Sequence, residues 1–278
     1  MPLTVFGGNL IILLIVLLWL ISGNYTKKFK LITQSKLLIA SIVFFGIHVV
    51  GLLWTYDLEW GIHIVRKMWY FLLLLPILYT IVIKENIRKY IASFLIAITI
   101  TEILSYLIWF EIIEPFKNAS VYNPTPFMSH ISYNPILAFA IYIVLHRFFI
   151  QRDMGKIQMF FYGFFGFSMS INMFITGGRA GHVAFFVILS VLIFQFFRFN
   201  KIRALVITFL TIPFIFFIAY QSSTIFSDRV NEGYVNVKNY SFDMTNNKIT
   251  SIGSRFTFTN NTLEMIKKNP LIGVGTGD

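Results

Sequence analysis

Long apolar runs separated by short charged connections constrain this chain more than any other feature. Eight runs are found, at about 3–22, 37–54, 67–83, 91–110, 135–150, 158–176, 182–197 and 204–220. A helix needs roughly 20 apolar residues to cross a bilayer, and in lipid its backbone polar groups must be satisfied internally. The runs lack the alternation of barrel strands. We therefore predict an all-α membrane protein, a polytopic bundle of about eight transmembrane helices.

The distribution of charge predicts the orientation of these helices. The first, third, fifth and seventh connections together carry 13 basic residues, namely Lys27, Lys28, Lys30, Lys36, Lys84, Arg88, Lys89, Arg147, Arg152, Lys156, Arg198, Lys201 and Arg203. Basic connections stay on the cytoplasmic side, so the other connections and the segment from Gln221 are expected outside. This predicts a transmembrane region over 1–220 and the start of an outer loop over 221–278. The net charge of +11 is thus explained by membrane topology, with no nucleic-acid partner.

Several site classes are excluded by composition. The chain has no cysteine, so it has neither disulfides nor thiolate ligands. Its five histidines show no metal-ligand spacing, and no nucleotide-binding or hydrolase motif is present. We predict no metal and no cofactor.

The turn at 176–182, Thr-Gly-Gly-Arg-Ala-Gly-His, is the first segment that suits chemistry. It separates two apolar runs and carries one cation, Arg179, near the outer interface. An arginine there is costly unless it faces a partner or water, and its planar fork of donors suits phosphate. Gly177 and Gly178 should let an anionic head group approach the backbone. The alternative is that Arg179 only reaches toward lipid head groups.

The connection at 111–134 is a second outer segment, polar, aromatic and rich in proline. His130 at its end could carry a proton near neutral pH. The alternative is that His130 caps or orients the loop.

The C-terminal segment is the third. Residues 221–250 are polar and are expected to be irregular, whereas helical spacing begins at about Ser254 and ends before Pro270. Arg255 falls in the first turn of that helix, where a cation is unfavourable on dipole grounds, which suggests either a ligand or a solvated side chain. The stretch Gly273-x-Gly275-x-Gly277 could cradle phosphates, although no strand precedes it, which excludes a dinucleotide fold.

Together these segments resemble the O-antigen ligase and polymerase superfamily. The similarity is carried by Thr-Gly-Gly-Arg-Ala-Gly at 176–181, by Ser-Arg opening a helix at 254–255, and by Asn-Pro-Leu-Ile-Gly-Val-Gly-Thr-Gly at 269–277. The last stretch is the most specific, and the resemblance extends from about residue 2 to residue 278.

The resemblance implies a multi-spanning glycosyltransferase of the GT-C type in the bacterial inner membrane. Its donor is a glycan on undecaprenyl diphosphate, and its acceptor is the lipid A core for a ligase or a growing polysaccharide for a polymerase. The family's two outward-facing arginines hold the diphosphate and correspond to Arg179 and Arg255; Gly273, Gly275, Gly277 and His130 are possible loop contacts. The family uses no metal.

The resemblance also places the catalytic histidine of the ligases beyond Asp278, so no catalytic residue is assigned and neither His130 nor His182 replaces it. We expect further helices after the loop and one before Met1. The 278-residue chain alone is then expected to be inactive.

Two interpretations of other classes remain. A transporter or flippase would place ionisable residues on broken helices in mid-membrane. Here only Glu102 lies well inside an apolar run, while the strong charges gather at the outer face. A structural scaffold has no feature that favours it.

Overall fold

The chain is described by a computed structural model covering residues 5–117, 119–150, 154–242 and 251–277. Asn118, Arg152 and Asp278 lie outside these ranges. The regular elements are the helices α1 (Val5–Ile21), α2 (Tyr25–Gln34), α3 (Lys36–Val50), α4 (Leu58–Lys67), α5 (Trp69–Leu72), α6 (Leu74–Ile81), α7 (Ile87–Trp109), α8 (His130–Ile150), α9 (Lys156–Phe174), α10 (Arg179–Phe196), α11 (Lys201–Ser222), α12 (Thr224–Phe242) and α13 (Ser251–Lys268). Short 3-10 turns occupy Gly51–Leu53 and Lys84–Asn86. In the described ranges β-structure is limited to one isolated bridge, Ser120 to Asn123, which confirms the predicted all-α class.

Within the described residues, five helices are long and apolar enough to cross a membrane. They are Lys36–Leu53, Lys84–Trp109, His130–Ile150, Arg179–Phe196 and Lys201–Ser222. Two bent pairs, α1 with α2 at 115° and α4 with α5–α6 at 48°, raise the number to seven if each pair is one span. The sixth predicted run, at 158–176, forms helix α9 but is not among these candidates, because Lys156, Gln158 and Asn172 lower its hydropathy. The chain is therefore a multi-pass membrane protein, with five to seven candidate spans in its described part.

The outer surface of these helices is apolar. On α11, Ile202, Phe209 and Leu210 are 77%, 76% and 65% exposed. An apolar surface of this extent is unfavourable in water and suits lipid.

The residues group into two compact units. One comprises Lys89–Val235 with Met1–Gly7, and the other comprises Gly8–Arg88 with Asn236–Asp278. In the first unit α8 is the central helix, and its Leu137 and Ile141 are buried against Met173 of α9 and Phe185 of α10. Polar residues on the same helices continue this core toward the turn at 176–182.

The segment from Gln221 departs from the sequence-based expectation. Residues 224–242 form helix α12 instead of an irregular segment. Ser223 accepts a hydrogen bond from the Phe226 N–H through its side chain, and the Phe226 ring is buried against Phe174 and His182. The Ser223 cap and the buried Phe226 ring thus stabilise a helix that the polar composition of the segment did not predict.

The predicted helix near Ser254 is confirmed as α13, with Lys267 and Lys268 in its last turn. Arg255 lies four residues after the start at Ser251, so it is one turn into the helix and not in its first turn.

Candidate functional site

The turn at 176–182, here called the arginine turn, is held by buried polar side chains. The Thr176 hydroxyl donates to Asn134 Oδ1 over 2.7 Å, and the Asn134 amide faces the carbonyls of Thr176 and Gly178 at 3.4 and 3.5 Å. His182 Nε2 lies 2.9 Å from the Met173 carbonyl and 3.0 Å from the Thr176 carbonyl. Two carbonyl acceptors require Nε2 to carry the proton. His182 therefore orients the turn.

Glycine is required in this turn by close packing against α8. A Cβ on Gly181 would lie 2.0 Å from Asn134 Cβ, and one on Gly178 would lie 2.6 Å from the His130 carbonyl oxygen. We expected Gly177 and Gly178 to leave room for a head group. At Gly178 the space that a side chain would occupy is filled by His130 and Asn134, and the approach of a head group to the backbone stays a prediction.

Further polar side chains form a hydrogen-bonded network beneath the arginine turn. Tyr133 donates to Asn172 Oδ1 at 3.0 Å, and the Asn172 amide donates to Ser105 at 3.0 Å. Deeper still, the Ser168 hydroxyl donates to Glu102 Oε1 at 2.6 Å. Glu102 Oε2 is buried without a partner in the described ranges, so the network is satisfied only in part. Its hydrogen bonds nevertheless link α7, α8 and α9 beneath the turn.

Arg179 lies in a cluster of three charged side chains. Its Nη2 is 2.5 Å from Glu232 Oε2, and Arg229 Nη1 is 3.0 Å from the same oxygen. Arg229 also reaches the arginine turn, since a Cβ on Gly177 would be 3.0 Å from Arg229 Nε. Two cations therefore share one carboxylate oxygen at the start of α10.

The two arginines change the acidity of the carboxyl between them. Partial burial by itself would raise the pKa of Glu232. The hydrogen bond and positive charge of Arg229, followed by those of Arg179, outweigh burial and hold the pKa of Glu232 below its ordinary value. Glu232 is therefore an anion at neutral pH.

Several donors of this cluster have no acceptor. Helix α10 begins at Arg179 without a side-chain cap, and its first internal bonds run from the N–H groups of Gly181 and His182 to the Gly178 carbonyl. In the described part of the chain no acceptor is found for the backbone N–H groups of Arg179 and Ala180. Arg179 Nε is likewise buried without a partner there. Free N–H groups at a helix start attract anions.

The outer connection at 111–134 also contacts the arginine turn. Asn123 Oδ1 accepts a hydrogen bond from the Gly177 N–H over 3.1 Å. His130, the loop contact expected from sequence, opens α8 and is half-buried, and its backbone carbonyl packs on Gly178.

The remaining predicted site residues belong to the second unit. Arg255 is exposed on α13. The stretch at 269–277, here called the glycine tail, packs within its own unit. Gly277 N–H donates to the Thr55 hydroxyl over 2.8 Å, and the Thr276 hydroxyl donates to the His48 carbonyl over 2.7 Å.

Close packing explains two of the three tail glycines. A Cβ on Gly275 would lie 2.5 Å from Thr55 Cα, and one on Gly277 would lie 2.0 Å from the Asp57 carbonyl oxygen. Gly273 and Gly275 also have φ values of +69° and +115°, which other residues rarely adopt. These contacts give the motif a structural role, whereas the phosphate cradle stays a prediction.

The sequence did not single out Asn123, Arg229 or Glu232 as site residues. Arg229 and Glu232 stand three residues apart, a spacing that brings side chains together on a helix. The surrounding segment is expected from its sequence to be irregular, so the three-residue spacing did not predict a pair of neighbouring side chains.

The first unit also contains an apolar cavity of about 770 Å³. Its lining residues come from α7 to α12 and include Trp109, Phe148, Phe167, Ile215, Ser223 and Ile225.

In the described ranges, no group of three or more His, Asp or Glu side chains is arranged to hold a metal ion.

Comparison with known proteins bears on the part of the chain that contains both predicted arginines. Residues 164–278 match the family model described as O-antigen ligase. No curated protein and no solved structure matches the chain. The match includes α12 together with the arginine turn, α13 and the glycine tail, and the last three are the segments that carried the resemblance. The C-terminal part of the chain, residues 164–278, is therefore similar to the O-antigen ligase family.

Proposed function

We propose that this protein transfers a glycan from undecaprenyl diphosphate to an acceptor, the lipid A core, at the periplasmic face of the bacterial inner membrane. The observation that carries the proposal is the position of Arg179. It starts a membrane helix with unpaired backbone donors, within the segment that matches the O-antigen ligase family. A guanidinium beside free N–H groups is suited to bind a phosphate.

The proposed reaction is a direct displacement. The acceptor hydroxyl attacks the anomeric carbon and gives its proton to a base. The bond between that carbon and the diphosphate oxygen breaks, and the diphosphate leaves with the electron pair. Arg179 and Arg255 stabilise the charge that develops on it, an effect worth about 3–4 kcal/mol per group in other enzymes. His182 is not proposed as the base, because its ring is buried between Phe174 and Phe226.

The apolar cavity supports a lipid-linked donor. Its walls are mainly Phe, Leu and Ile side chains of the candidate spans α7, α8, α10 and α11 and of α9, and it extends to Ser223 and Thr224 where α12 begins. A prenyl chain has the chemistry to fill such a space. In this proposal residues 221–278 begin a periplasmic loop.

The charges favour transfer over transport. Glu102 is enclosed, and one of its oxygens is taken by Ser168, whereas Arg179 and Arg229 are partly exposed at the start of α10 and on α12. A transporter is expected to place its functional charges along a path through the membrane.

The test measures transfer in membranes that contain the protein expressed from its native gene. A polyprenyl-diphosphate-linked glycan is supplied with lipid A core or with a second donor molecule. Arg179→Ala and Arg255→Ala should each lower the rate by about 100-fold or more, and Arg179→Lys should rescue poorly if Arg179 holds the diphosphate through two nitrogens, because lysine cannot make a bidentate contact. Arg198→Ala, at the other end of α10, is the matched control.

The outcomes separate the candidate functions. Transfer to lipid A core supports a ligase, and transfer only to the second donor supports a repeat-unit polymerase. Normal rates in both arginine variants contradict the assignment of these residues. Movement of labelled donor across liposomes without transfer favours a flippase instead.

A further inference from the structure

We propose that Glu232 is a built-in anion occupying a phosphate subsite formed by Arg179 and Arg229, and that the diphosphate of the donor displaces it. The inference rests on the proposed function for the identity of the ligand. In this proposal Arg229 is an additional phosphate-binding residue. Other anions cannot bind at the subsite until Glu232 has moved away.

The geometry of the cluster is that of an occupied anion site. One carboxylate oxygen, Glu232 Oε2, is 2.5 Å from Arg179 Nη2 and 3.0 Å from Arg229 Nη1. The two arginines come from different helices, α10 and α12, so their convergence is made by the tertiary structure. Without a carboxylate between them, two guanidinium groups this close would repel each other.

Glycine at 177 allows Arg229 to take part. A Cβ there would be 3.0 Å from Arg229 Nε and 3.2 Å from its Nη2. It would also lie 2.8 Å from Asn123 Oδ1, so a larger residue at 177 would require Asn123 or the Arg229 guanidinium to shift. The glycine next to Arg179 in sequence thus makes room for a second cation.

The carboxylate satisfies only part of the available donors. Arg179 Nε is buried and unpaired, and the N–H groups of Arg179 and Ala180 have no acceptor in the described ranges. Unpaired buried donors cost free energy. A diphosphate offers more acceptor oxygens and more negative charge than one carboxylate, so it can satisfy donors that Glu232 leaves free.

Glu232 is also the member of the cluster that can leave most easily. Its side chain is 51% exposed, against 28% for Arg179 and 31% for Arg229. A rotation about its side-chain bonds would move the carboxylate into water, where its charge is well solvated. The arginines would remain against the protein.

Phospholipid head groups carry the same phosphate chemistry as the donor, and the experiment must separate the two sources. Binding is measured on the purified chain in three preparations. The first is in detergent with inorganic pyrophosphate as the probe. The others are phosphatidylcholine vesicles containing polyprenyl diphosphate and vesicles containing phosphatidylglycerol.

Glu232→Gln should tighten pyrophosphate binding by at least about five-fold. The charge that competes with pyrophosphate for the two arginines is removed, so the protein no longer spends free energy on moving Glu232 out of the subsite. Arg229→Ala should weaken binding in the wild-type and in the Glu232→Gln background. Asp228→Asn removes the same charge from an exposed neighbouring position on α12 and should change nothing. Thermal unfolding checks that each variant is folded.

Tighter binding in Glu232→Gln for pyrophosphate and polyprenyl diphosphate supports the proposal. A gain confined to phosphatidylglycerol overturns it in favour of a head-group site. Unchanged or weaker pyrophosphate binding also overturns it, and if Arg179→Ala still abolishes transfer, the proposed function stands. If Glu232→Gln does not fold, Glu232→Asp keeps the charge but shortens its reach. It should likewise tighten binding, and unchanged affinity would count against the displacement.

Discussion

Arg179 at the start of α10 donates a hydrogen bond to Glu232 on α12 over 2.5 Å. This contact joins the arginine turn to a residue 53 positions later in the chain. It makes the stability of the junction depend on the charge of Glu232.

The first prediction concerns pH. The pKa of Glu232 is lowered in the folded protein, so its contribution to stability is complete above the ordinary value of 4.5 and is lost as the pH falls through the lower folded value. Because these side chains are partly exposed, the contribution should not exceed about 1 kcal/mol. Thermal unfolding of wild type and Glu232→Gln should therefore differ at neutral pH and converge well below pH 4.5. A difference that persists in acid would show that the Gln variant perturbs something other than charge.

The second prediction concerns the crossing of α8 and α10. Gly181→Ala should destabilise the protein by about 1–3 kcal/mol, because its Cβ would meet Asn134 Cβ at 2.0 Å. Gly46→Ala is the matched control, since nothing lies within 4 Å of its added Cβ. That change should be neutral or stabilising by about 0.5–1 kcal/mol in helix α3. Denaturation in detergent measures both, and equal stability of the two variants would contradict the packing described for Gly181.

The third prediction concerns the glycine tail. A Cβ on Gly51 would lie 3.7 Å from Thr276 Cβ, a separation that suits a disulfide. The chain has no cysteine, so Gly51→Cys combined with Thr276→Cys should form one unambiguous bridge on oxidation. Mass spectrometry of the digested protein detects it. Gly46→Cys with Thr276→Cys should give none, and adding Gly277→Ala should reduce the first bridge by displacing the tail from Asp57.

The fourth prediction concerns Glu102, which is 2% exposed and accepts a hydrogen bond from Ser168. A charged carboxylate in the membrane interior is costly. Glu102→Gln keeps the shape and should change the free energy of unfolding by less than about 1.5 kcal/mol while transfer continues. Glu102→Lys should prevent folding. Loss of function in a folded Gln variant would instead favour a proton-coupled transporter, which depends on ionisation at such a position.

Much of the architecture could be predicted locally. Helix α13 and its basic last turn follow from the helical spacing of apolar residues and from the lysines before Pro270, which are all features of adjacent sequence. Helix α9 was predicted as a span, but its Asn172 faces Tyr133 and Ser105 inside the protein. Composition does not reveal such internal pairing, since the partners lie on other helices.

The candidate site was predicted in part. Arg179 was predicted as a site residue because an isolated cation between apolar runs is costly in free energy unless it faces a partner or water. Its partners Arg229 and Glu232 were not recognised, because the segment that carries them is polar and its helix depends on the buried Phe226. Gly178 and Gly181 were noted in the sequence, but only the position of Asn134 explains them.

The sequence by itself determined that this is a helical membrane protein with a cation at the start of α10, because hydropathy and charge act through neighbours in the chain. The tertiary structure decided which side chains meet that cation. Arg179 and Glu232 are separated by 53 positions, and they meet where α12 packs through Phe226 against Phe174 and His182. Contacts of that kind depend on the whole arrangement of helices, which no local pattern specifies.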